Sequence, residues 1–153
     1  MGGRSQPTSS IARHGLVIIV DTSVWIEFLE GRGSTYDHQL AALIHADAPI
    51  ALTEVIYCEV LQGIRNDGAY SHVREILQAF PMLFLSGLPS VDHTASLYRA
   101  CRRKGYTIRS TVDCLIAAVC LEAEAELFHH DRDFEMLAKV VPLRVYRPSS
   151  SGR

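Results

Sequence analysis

Four stretches of the chain carry a carboxylate where a solvated surface acid is not the obvious reading. In LVIIVDTSVWIEFL, residues 16–29, five apolar residues run straight into Asp21. Glu59 lies in TEVIYCEVLQG, with Val55 and Ile56 four and three residues behind it, so on a helix it borders an apolar stripe. Asp113 stands in the first turn of STVDCLIAAVC, and Asp131 follows ELFHH and begins DRDFEML. Acids gathered in one pocket repel, and at least one is driven to protonate unless a cation removes the penalty. With oxygen ligands alone and no Cys/His ligand cluster, the hard ions Mg2+ and Mn2+ are favoured over zinc. Such a site activates a water and neutralises phosphate charge, which is the chemistry of phosphodiester cleavage.

Taken singly, each acid has a structural explanation. Asp21, with Thr22 and Ser23, can cap the following helix. Asp113 stands three residues after Ser110, a capping-box spacing, and an acid in a first turn suits the helix dipole. Asp131 can be an N-cap or turn residue, and Glu59 can snorkel from the edge of an apolar face. The combination is what points to a site.

The elements that must position these acids alternate along the chain. Leu16–Val20 is short, continuous and β-branched, as a strand buried on both faces requires. Further strands are expected at Ile50–Leu52, Met82–Leu85, Glu126–Phe128 and Leu143–Tyr146. Helices are expected at Val24–Leu29, His38–Ala46, from Thr53 as N-cap to Gly63, and at Tyr70–Phe80, Val91–Lys104, Ser110–Glu124 and Arg132–Val140. This alternation predicts an α/β fold, with a mostly parallel sheet between helices. Ligands of such folds bind beyond the carboxyl ends of the strands, where Asp21 and Asp131 fall.

The 153 residues suit one domain, 48% apolar and 21% charged, which argues against global disorder. A net charge of −2 neither announces nor excludes nucleic-acid binding, since a local basic face suffices. Cys58, Cys101, Cys114 and Cys120 form no CxxC and read as reduced, mostly buried thiols of a cytosolic protein. No apolar run is long enough to span a membrane. Residues 1–15 are expected to be a disordered lead-in, 16–147 the folded domain and 148–153 a loose tail.

VDTSVWIEFL, EVIYCEVLQGI, STVDCLIAAVC and HHDRDFEML occur in the order and spacing of the PIN-domain family, which the chain resembles from Leu16 to Tyr146; it is most similar to the VapC toxins. The resemblance implies a three-layer α/β/α domain and a metal-dependent endoribonuclease acting on structured RNA such as tRNA or rRNA. It implies Asp21 and Asp113 as the innermost ligands of Mg2+, or Mn2+, completed by Glu59 and Asp131. It also implies a VapB-type antitoxin and a homodimer. One departure stands out: the family often has Ser or Thr two residues before the last acid, where this chain has His129. His129 and His130 can be metal ligands, a proton shuttle or structural residues, and Asp133 is the second candidate for the fourth acid. Arg99, Arg102, Arg103, Lys104 and Arg109 form either an RNA-facing basic surface or a solvated helix face.

Two other enzyme classes place acids at strand ends. A haloacid-dehalogenase-type phosphatase needs a second Asp where this chain has Ser23. A response-regulator receiver needs an early acid pair and a late Lys, and the only Lys past Asp113 is Lys139. A non-catalytic RNA- or protein-binding member of the same fold is the remaining alternative.

Overall fold

The computed structural model describes residues 15–148. The two predicted tails lie outside the described residues, apart from Gly15 and Pro148. In chain order the elements are β1 (Ile18–Val20), α1 (Thr22–Leu29), α2 (Thr35–His45), β2 (Ile50–Thr53), α3 (Glu54–Gln62), α4 (Asp67–Gln78), β3 (Met82–Leu83), α5 (Leu88–Arg103), α6 (Thr111–Glu122), β4 (Glu126–Phe128), α7 (Arg132–Val140) and β5 (Arg144–Val145).

The five strands form one sheet in the order β3-β2-β1-β4-β5, and every pairing is parallel. β1 is central, with Ile19 opposite Ala51 on one side and Leu127 on the other. Ile19, Val20, Leu52, Leu127 and Phe128 are fully buried. Strands buried on both faces need helices on both sides, and this yields the α/β/α layering that the alternating sequence predicts. Trp25, Ile56, Ile116, Phe134 and Leu137 carry the helices onto the sheet, each with no exposed surface.

The predicted boundaries hold within three residues, the largest differences being the starts of α2, α4 and α5, each three residues earlier than expected, at Thr35, Asp67 and Leu88. In α5 the early start fits Pro89 in the first turn, which has no need of the N–H it lacks. Gly105 ends this segment at φ +83°, a conformation that glycine adopts without steric cost. Cys101, Cys114 and Cys120 are buried free thiols, and Cys58 is exposed.

Candidate active site

Parallel topology brings the ends of β1 and β4 together. Asp21 is the first residue beyond β1, and its N–H extends the ladder to the Phe128 carbonyl at 2.9 Å. Its side chain caps α1 by accepting from Ser23 N at 3.0 Å and from Ser23 Oγ at 2.6 Å. The capping role is therefore real, but it does not exhaust the residue. Asp21 is only 4% exposed. Burial, aided by the nearby Glu59, pushes its carboxyl up to about 6 against the opposing Ser23 hydrogen bonds.

Asp113 stands in the first turn of α6. Ser110 caps that helix through Val112 N at 3.2 Å. The reciprocal capping box suggested by the Ser110–Asp113 spacing is not formed, and among the described residues no hydrogen bond ties the Asp113 carboxylate down. Desolvation and then the charges of Asp131, Asp21, Asp133 and Glu59 push Asp113 up to about 7. Asp113 thus feels the charges of the other three candidate acids as well as that of Asp133. Asp113, Asp131 and Asp133 offer oxygens that lie within 4.8 Å of one another. Glu59, half-buried on α3, is reached from α1 by Thr22, whose Oγ1 donates to Oε2 at 2.7 Å.

Asp131 caps α7 by accepting from Asp133 N at 2.9 Å. Asp133 is 1% exposed, and its two oxygens are taken by Arg109, through the backbone N at 2.9 Å and Nε at 3.1 Å. Arg109 also reaches Asp131 Oδ1 with Nη2 at 3.3 Å. Of the basic residues singled out in the sequence, Arg109 alone pairs with this cluster among the described residues. Arg99, Arg102, Arg103 and Lys104 are exposed, and Arg102 lies over the Tyr98 ring, 5.7 Å from its centroid.

The two histidines have separate partners. His129 is buried, and its Nδ1 accepts from Asp131 N at 3.0 Å. That places the ring proton on Nε2, which lies 3.3 Å from Glu135 Oε1 without the alignment of a hydrogen bond. Burial holds His129 below the ordinary imidazole range, in its neutral form. His130 stacks on Tyr36 at 4.1 Å and 12°, and its Nδ1 lies 2.6 Å from Glu27 Oε1. Its backbone N donates to Ser23 Oγ at 2.9 Å, so the β4 exit loop also fixes the serine that orients Asp21. Glu27, which also accepts from Ser34 Oγ, was not among the predicted site residues. The signal was an acid inside the apolar WIEFL, and such an acid needs buried partners.

The site therefore offers a concentration of carboxylates, two of them raised toward neutrality, with one guanidinium among them. An all-oxygen donor set under mutual repulsion suits a hard divalent cation.

The PIN domain family profile matches residues 18–140. The VapC ribonuclease Mb1587 of Mycobacterium bovis is 33% identical over 129 residues, covering 84% of this chain and 96% of that protein. Ribonuclease VapC11 of Mycobacterium tuberculosis is similar to the same extent. Among solved structures, VapBC2 from Rickettsia felis, bound to a DNA fragment from its promoter, has a TM-score of 0.69 at 17% identity, covering 86% of this chain and 98% of that one. VapC20 of Mycobacterium tuberculosis, described as a sarcin-ricin loop cleaving toxin, has a TM-score of 0.59 at 19% identity, covering 83% and 98%. At these identities the structural likeness is one of fold.

Proposed function

This chain belongs to the PIN-domain family, and we propose that it is a Mg2+- or Mn2+-dependent endoribonuclease, the toxin of a toxin–antitoxin pair. The observation that carries the reading is the acid cluster beyond β1 and β4, where Asp113 and Asp131 offer oxygens within 4.8 Å of one another and the charges of Asp21 and Glu59 also act on Asp113. Asp21 and Asp113 are the innermost ligands, and Glu59 and Asp131 complete the set. Asp133 has both oxygens committed to Arg109 and is left out of it.

When bound, the ion neutralises the acids, offsets charge on an RNA phosphodiester and makes a water more acidic. The chain's own residues prepare that chemistry. Ser23 fixes Oδ2 of Asp21, and Thr22 fixes Oε2 of Glu59. His129 holds the loop at Asp131 N. Asp113, its carboxyl raised to about 7, would hold a cation only in its ionised form, so affinity would rise with pH toward neutrality.

The substrate is structured RNA of the tRNA or rRNA kind, and the partner is a VapB-type antitoxin. The relatives' names and the VapBC complexes of the same fold support both. A homodimer working in the cytoplasm fits the same picture, and no helix among the described residues is long and apolar enough to cross a membrane.

Isothermal titration of the metal-free protein with Mn2+ tests the metal site. Saturable binding that Asp21→Asn and Asp113→Asn abolish, with the fold retained, is expected. A folded protein that takes up no ion would instead be a non-catalytic RNA- or protein-binding member of the fold.

A further inference from the structure

An acid-rich site faces a problem with its own substrate. The carboxylates that hold a cation also repel the phosphates on either side of the scissile one. A fixed positive group at the rim, anchored on a carboxylate outside the metal-ligand set, relieves that repulsion.

Arg109 has this geometry. Its backbone N and Nε both bind the Asp133 carboxylate, which is itself 1% exposed, so the base of the guanidinium is anchored on a buried group. Nη2 reaches Asp131 Oδ1 at 3.3 Å, which sets the guanidinium beside the acid cluster. Two of the five guanidinium N–H groups are thereby engaged. The side chain is nevertheless 65% exposed, so the remaining donors face solvent at the edge of the site. An arginine held this way offers a planar, phosphate-matching fork and gives up little side-chain entropy on binding. Among the described residues, no other basic side chain pairs with a member of the acid cluster.

We propose that Arg109, aimed by Asp133, binds an RNA phosphate next to the scissile one and holds the strand over Asp113 and Asp131. The inference rests on the ribonuclease reading above. It also gives Asp133 a role distinct from metal ligation, that of positioning Arg109.

The test is fluorescence anisotropy of a labelled mixed-sequence RNA oligonucleotide, titrated with the full chain over a series of NaCl concentrations. All proteins carry Asp113→Asn, so that no cleavage intervenes. The parent is compared with Arg109→Gln and Arg109→Lys, and thermal unfolding monitors the fold. Arg109→Gln is expected to weaken binding about tenfold or more, the loss of a charge-assisted hydrogen bond. The log–log salt slope becomes shallower by about 0.7–0.9, the release of one counterion. Arg109→Lys keeps the slope but loses part of the affinity, because the fork is gone. Unchanged affinity and slope in a folded Arg109→Gln protein would overturn the proposal. So would a lowered melting point with the salt slope intact, which is the mark of a purely structural arginine. A parent that binds no RNA would bring down the ribonuclease reading itself, an outcome distinct from a parent whose binding ignores Arg109.

Discussion

Thr22 Oγ1 donates a 2.7 Å hydrogen bond to Glu59 Oε2, joining the first residue of α1 to the middle of α3 across 37 residues of sequence. The hydroxyl fixes one carboxylate oxygen and leaves the other available. Residues that orient ligands in this way typically contribute 10–100-fold to metal affinity. Thr22→Val keeps the side-chain shape and removes the donor. It is expected to weaken Mn2+ binding about tenfold with little change in melting temperature, measured by calorimetry and thermal unfolding. Thr22→Ser should restore the affinity.

The raised carboxyls set the pH dependence of the metal-free protein. Asp21 is pushed up to about 6 and Asp113 to about 7, each from 3.8. Between the unfolded and folded values the native state holds more protons than the unfolded chain, so stability falls as pH rises through this range. His129, held neutral below its ordinary 6.5, acts in the opposite sense on the acid side of that value. The clearest window is thus pH 6.5 to 7.5, above the range where His129 opposes, and there Asp113 dominates. The melting temperature should fall there by roughly 2–4 °C for each kcal/mol lost. Asp113→Asn should flatten the profile, and saturating Mg2+ should reverse it. A midpoint that rises over this window in the metal-free protein would contradict the electrostatic picture.

His129 connects the end of β4 to the last acid. His129→Ala leaves Asp131 N without its acceptor, at a cost of about 1–3 kcal/mol for an unpaired donor. It should loosen metal binding as well, since Asp131 sits on the freed loop. An Asn at this position offers an amide oxygen where Nδ1 stood, so His129→Asn should recover part of both losses. Chemical denaturation and metal titration of the two variants separate this role from direct ligation, for which Asn would be a poor substitute.

Trp25 is the largest fully buried side chain, in edge contact with Phe28 at 6.0 Å and Phe80 at 5.4 Å. Its Nε1 has no hydrogen-bond partner among the described residues. Trp25→Ala should cost about 3–5 kcal/mol through the cavity it leaves. Trp25→Phe loses less, because it also removes an unpaired N–H whose burial costs about 1–3 kcal/mol. Denaturant unfolding of the two variants gives the comparison directly.

The sequence was most informative where local rules and tertiary demands coincide. The run Ile18–Val20 ending on Asp21 shows both a doubly buried strand and the acid beyond it, because a parallel sheet places such an end at the site. Thr53 as N-cap and Gly63 as C-cap fix α3 to the residue, and with it the position of Glu59. The pairing of Arg109 with Asp133 was not legible. It depends on a loop and a helix start 24 residues apart meeting in space, and nothing in the spacing DRD says which Asp turns inward. Asp131, the N-cap, stays half-exposed, while Asp133 in the first turn is buried. Likewise Arg109 belonged by sequence to a basic stretch with Arg99, Arg102 and Arg103. Only the fold separates it from them, since α5 ends at Arg103 and Gly105 redirects the chain.

On the proposed reading, the acids around Asp113 serve RNA cleavage with a bound divalent ion. The most direct measurement is incubation of the purified chain, free of any antitoxin, with total bacterial RNA in Mg2+ or Mn2+, in EDTA, and beside an Asp113→Asn variant. Discrete fragments that need the ion and disappear in EDTA and in the variant are the predicted result, and their ends name the RNA. Cleavage that persists in EDTA or in a folded Asp113→Asn protein would contradict the account, as would intact RNA from a protein that also binds no ion.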